Sequence, residues 1–64
     1  LMNKIEEYNG YSVIWIRITP FGYPSPSIVK DLLGESVVMT GWYRGIGRQQ
    51  ERAYILSDRK SEDK

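Results

Sequence analysis

The sequence predicts a small all-β domain: a strongly twisted antiparallel sheet of about three or four strands, or a partly closed barrel, with one short helix. Three observations predict it. Residues 11–19 form an almost unbroken run of β-branched and aromatic residues. Two further strand-like stretches, 36–44 and 52–57, flank a glycine-rich polar loop. A single helix signal, Ser25-Pro26 through Gly34, lies between the first long strand and that pair.

Residues 4–8 admit two readings. Leu1, Ile5 and Tyr8 can line one side of a helical turn that Asn9-Gly10 stops. Equally, Asn9-Gly10 can be a type I′ turn joining residues 4–8 to the strand that follows, because both residues tolerate positive φ. Residues 11–19 are the clearest strand. Period two puts Ile14, Ile16 and Ile18 on one face, and Tyr11, Val13, Trp15 and Arg17 on the other. Pro20 ends it, since proline cannot donate to a ladder. Residues 20–26 hold all three prolines and read as a stiff connector, with Phe21 or Tyr23 plugging the core.

Ser25 then fits an N-cap and Pro26 the first helical position. Ile28, Val29, Leu32 and Leu33 supply an apolar stripe, and Gly34 the left-handed stop. So short a helix must dock on the sheet to persist. In residues 36–44, Val37, Met39, Gly41 and Tyr43 share one face, and Val38, Thr40, Trp42 and Arg44 the other. Gly41 inside a strand marks a bend, a bulge or a close approach. Residues 45–50 make a polar, flexible hairpin loop, and residues 52–57 the last strand. The expected core is Ile14, Ile16, Ile18, Leu32, Leu33, Val37, Met39 and Ile55. Residues 1–58 thus form one domain, and residues 59–64, all charged or polar, a flexible tail.

Composition narrows the function. A 64-residue chain has a marginal core. The absence of cysteine and histidine removes disulfides, thiolate sites, the commonest metal ligand and the usual neutral-pH base. No cofactor or metal is expected. Serines lack a partner base at any suggestive spacing, and Glu6-Glu7 would point to opposite faces of a strand, so no catalytic constellation emerges. Gly41, Gly45 and Gly47 precede a strand rather than a helix and lack the lysine of a phosphate loop. No run of apolar residues is long enough to span a membrane and no signal peptide is visible, so a cytoplasmic location is expected. The start Leu1-Met2 suggests a piece of a larger parent chain.

Net charge is only +1, but residues 41–60 hold five basic residues against two acidic ones, a local balance of +3. The basic residues alternate with aromatics: Trp15 with Arg17, Trp42 with Arg44, then Arg48, Arg52 and Tyr54. Single-stranded nucleic-acid binders use this mixture, rings to stack on bases and guanidinium groups to track phosphates. The competing reading buries Trp15 and Trp42 in a core that needs their bulk and leaves the arginines at its rim.

The order Leu33-Gly34, Val37, Gly41-Trp42, Arg44, a basic loop, then Tyr54-Ile55-Leu56-Ser57-Asp58 resembles the first hairpin of OB-fold nucleic-acid-binding domains, especially those of tRNA-anticodon-binding and replication proteins. The resemblance implies that Trp42, Arg44, Arg48, Arg52 and Tyr54 face nucleic acid. It departs from the family in having too little chain for a five-stranded barrel, and an SH3-like meander would share the hairpin pattern. The leading expectation is therefore a non-enzymatic module that binds single-stranded nucleic acid with low sequence specificity through Trp15, Arg17, Trp42, Arg44, Arg48, Arg52 and Tyr54. The alternative is a protein-interaction or assembly module, such as a homo-oligomer subunit, that docks through Trp15, Phe21, Tyr23 and Trp42.

Overall fold

A computed structural model describes residues 4–58. Leu1 and the charged tail of residues 59–64 lie outside the described residues. The elements run β1 (Ile5–Tyr8), β2 (Tyr11–Arg17), α1 (Pro26–Leu33), β3 (Val37–Arg44) and β4 (Glu51–Leu56), with a single 3-10 turn at Gly47–Gln49. The four strands form one antiparallel sheet in the order β1-β2-β4-β3, which does not close into a barrel. β4 lies between β2 and β3, so the connection through α1 is a split crossover.

Asn9-Gly10 makes the turn of the first hairpin. Both residues have positive φ, 53° and 83°, and the pairing Tyr8↔Tyr11 closes directly above them. β2 ends at Arg17, two residues before the expected limit. Ile18 still donates its N–H to the Gln50 carbonyl at 2.9 Å, while Thr19 turns away to bridge Gly22. Ser25 caps α1 through its Oγ, which accepts the Ile28 N–H, and Gly34 ends the helix in the left-handed region.

Both faces of the sheet are buried at its centre. On one, α1 covers a cluster of Ile14, Val29, Val37, Tyr54 and Leu56, joined by Ile16, Leu33 and Met39. On the other, Val13, Trp15 and Ala53 pack with Trp42 and Ile55. The isoleucine face of β2 is the helix face, as its pattern predicts. The opposite face is no solvent surface: Val13 is fully buried and Trp15 is 4% exposed.

Three core expectations need correction. Leu32 is 79% exposed. A two-turn helix docks through Val29 and Leu33, one turn apart, and Leu32 is carried round to the open side. Ile55 is half-buried but lies on the face opposite Ile14, because Tyr54 and Leu56 take the helix side. Phe21 does not plug the core; it is 98% exposed. Tyr23 is the half-buried ring of that connector, donating its hydroxyl to Gln50 Oε1 at 2.9 Å.

Gly41 does mark a bulge. Met39 pairs with Tyr54 and Tyr43 with Arg52, so residues 40–42 of β3 face Ala53 alone. Two extra residues preserve the alternation, which keeps Met39 and Tyr43 on one face and Trp42 and Arg44 on the other. The Thr40 hydroxyl pins the bulge, donating to the Ala53 carbonyl at 2.7 Å and accepting the Trp42 N–H at 3.0 Å. Arg52 Nε donates to the Thr40 carbonyl that the bulge frees from the ladder.

Candidate interaction site

The seven residues expected to bind nucleic acid do not form one surface. Arg52 and Tyr54 belong to the helix face, Trp15, Arg17, Trp42 and Arg44 to the other, and Arg48 to the loop between β3 and β4. Tyr54 is a core residue, fully buried, with its hydroxyl donating to the Pro24 carbonyl at 2.7 Å. Trp15 is buried too, its ring edge against Tyr8 at a centroid distance of 5.3 Å. Neither offers a free ring to a base.

Two of the arginines are committed to the fold. Arg44 lies over the Trp15 ring at 4.3 Å. Its Nε reaches Glu51 at 2.7 Å and an NH group reaches Glu6 at 3.4 Å. The hydrogen bond that Arg44 donates to Glu51 leads the causes that raise its pKa. Arg52 sits over Tyr43 at 5.1 Å and Tyr23 at 5.7 Å. Burial raises the pKa of Tyr23, with its neighbour Tyr43 adding to the effect, and burial likewise raises that of Tyr54. Trp42 is half-buried under Tyr8 and Tyr11, at 5.3 and 6.0 Å. Arg17 and Arg48 are exposed and outside every ion pair among the described residues.

A different constellation emerges at the end of the sheet where β2 stops. Thr19-Pro20-Phe21-Gly22 is a tight turn with proline at its second position and glycine at its fourth. Thr19 and Gly22 exchange backbone hydrogen bonds at 3.0 and 2.9 Å. The Thr19 hydroxyl donates to the Gly22 carbonyl at 2.6 Å and accepts the Phe21 N–H at 3.1 Å. Phe21 therefore projects into water from a backbone fixed on both sides. Nothing in the core needs this ring.

The loop from β3 to β4 lies beside that turn. Gly45 has φ 81°, and a Cβ there would meet the Gln49 carbonyl oxygen at 2.7 Å, so only glycine fits. The loop then folds as its 3-10 turn, and Ile46, ahead of it, is 83% exposed. Ile18, Thr19, Pro20, Gly47 and Arg48 line an open pocket of about 680 Å³ between turn and loop. Phe21 and Ile46, both exposed, each adjoin a lining residue in sequence.

Sequence reasoning named Phe21 both as a core plug and as a docking residue, and Arg48 as a nucleic-acid ligand, but did not bring the two to one end of the sheet. The signal was present: proline at the second and glycine at the fourth position of a turn put Phe21 at the third, the outer corner. Among the described residues, no group of acidic side chains is arranged to hold a metal ion, and no helix is long and apolar enough to cross a membrane. No protein family, curated protein or solved structure matches the chain. The resemblance to OB-fold domains thus rests on the hairpin residues alone, and in this chain that hairpin, β3 with β4, belongs to an open four-stranded sheet.

Proposed function

We propose that this domain is a non-enzymatic protein-interaction module that docks a partner through the end of the sheet bearing Phe21, Ile46 and Arg48. The observation that carries the reading is Phe21, a ring 98% exposed on a turn whose backbone is already hydrogen-bonded. An exposed aromatic on a fixed backbone is what an interface anchor requires, since little ordering remains to be done on binding. The charge distribution favours a protein over nucleic acid. The full chain carries nine basic residues against eight acidic ones, a net charge of only +1. A balanced surface lacks the cationic footprint that supplies nucleic-acid affinity.

The test is a random-peptide display selection on the wild-type domain, repeated on Phe21→Ser. Peptides enriched on the wild type should lose their binding to the variant, which should unfold at an unchanged temperature because the ring packs on nothing. Enriched peptides that bind both alike would overturn the reading. So would an oligothymidylate that binds at ~50 mM salt and weakens steeply as salt rises, the signature of phosphate contacts.

A further inference from the structure

Resting on the interaction reading above, we infer that the pocket between the Thr19–Gly22 turn and the β3–β4 loop binds a peptide carboxylate, an acidic side chain flanked by apolar residues, with Arg48 as its anion anchor. The inventory of polar groups in the pocket leads there. The Thr19 hydroxyl both donates to Gly22 and accepts from Phe21. The Thr19 N–H and carbonyl are bonded to Gly22. The Gly47 carbonyl accepts the Gln50 N–H, and the Ile18 N–H is given to Gln50. Among the described residues that line the pocket, only Arg48 carries a side-chain polar group not already committed to a hydrogen bond or ion pair.

A guanidinium presents a planar fork of donors and no acceptor. What it lacks is an anionic acceptor, and a carboxylate meets the fork with two parallel hydrogen bonds. Among the described residues, no acidic side chain lines the pocket to compete for it. Arg48 is also the only cation among the described lining residues. Arg17, next in sequence to Ile18, belongs to the opposite face of the sheet. A single cation matches the single charge of a carboxylate better than the double charge of a phosphate.

The apolar walls decide the rest. Ile18 and Pro20 need a hydrocarbon neighbour beside the anion. Phe21 and Ile46, outside the pocket on either side, would stay in water over a small metabolite. An extended peptide covers both. A second copy of this chain is a poorer occupant, because two-fold docking through this end would bring two unpaired Arg48 side chains together.

The experiment follows amide chemical shifts of the labelled domain by NMR during titration with the blocked peptide acetyl-Leu-Glu-Leu-Leu-amide. The expected result is saturable shifts confined to Ile18, Thr19, Phe21, Ile46, Gly47 and Arg48, with the glutamine-for-glutamate peptide binding about tenfold more weakly. Arg48→Gln should lose the same factor for the glutamate peptide and nothing for the glutamine one. Arg48 is exposed and outside every ion pair, so this variant keeps its fold. Equal binding of the two peptides, with both weakened by Phe21→Ser, overturns the carboxylate anchor and leaves the interaction reading standing. No shift at this end up to ~1 mM peptide also overturns the anchor. Shifts there from an oligothymidylate but from neither peptide overturn both, whereas self-association abolished by Phe21→Ser overturns the carboxylate anchor and leaves the interaction reading standing.

Discussion

The two faces of the sheet solve the same problem by different means. One is covered by a secondary-structure element: α1 lays Val29 and Leu33 over Ile14, Val37, Tyr54 and Leu56. Among the described residues no element covers the other, and its lid is made of side chains. Tyr8 from β1 and Trp42 from β3 meet at 5.3 Å although their strands are opposite edges of the sheet. Arg44 closes the same span by reaching from β3 to Glu6 on β1. The bulge at residues 40–42 allows this, because an inserted pair of residues bends the strand and increases its twist. A small sheet can thus bury a second face by curling and lining it with large rings.

Mutation can break or sharpen that contrast. If the aromatic face is a true core, Trp15→Ala should cost about 3–5 kcal/mol, and Leu56→Ala on the helix face about 2–5 kcal/mol. Denaturant titration of both variants measures the pair. A cost under about 1 kcal/mol for Trp15→Ala would reduce the aromatic face to a surface ornament.

Tyr54→Phe is a finer probe of the helix face. It leaves the Pro24 carbonyl without its hydroxyl donor and should cost about 1–2 kcal/mol. It also bears on pH. Burial raises the pKa of Tyr54 and Tyr23 above the ordinary 10.0, so above that pH the folded chain holds protons that the unfolded chain has released. Their contribution to stability is whole below pH 10 and is lost as pH rises through the raised folded values. The loss should be shallower in Tyr54→Phe, as unfolding midpoints from pH 8 to beyond about 10 would show.

The smallest expected effect belongs to Arg44. Its side chain is 46% exposed, so Arg44→Met, which keeps the hydrocarbon stem, should cost only about 1 kcal/mol. Added salt should narrow the gap to the wild type, because exposed ion pairs are screened. A gap unchanged by salt would assign the contribution of Arg44 to stacking on Trp15 alone.

These contrasts mark what was legible in the residues. Runs and punctuation were: the isoleucine alternation, the Ser25-Pro26 cap, Gly34 and the Gly41 bulge all read directly. Facing partners were not. Nothing in residues 52–57 says whether Tyr54 or Ile55 looks toward the helix, since both are apolar and their alternation has no polar phase to fix it. The choice is made by the register with β2 and β3. The candidate site was hidden for a related reason. The aromatic–arginine alternation that suggested a binding surface largely serves to cover the second face, whereas Pro20 and Arg48 stand far apart in sequence and line one pocket beside the Ile18–Gln50 hydrogen bond.

The position of β4 has a consequence for the order of events in folding. Neither β2 nor β3 touches the other in the sheet; each needs β4 between them. During synthesis the ribosome delivers both flanking strands before the central one, and they wait with unpaired edges. The first hairpin can form locally, but the pairings that unite the molecule span some of the longest separations in the chain, such as Val13 with Ile55. Loop-closure entropy is met late and all at once, which favours slow, cooperative folding over stepwise growth. Any truncation that removes residues 51–56 should leave not a smaller sheet but two unconnected halves.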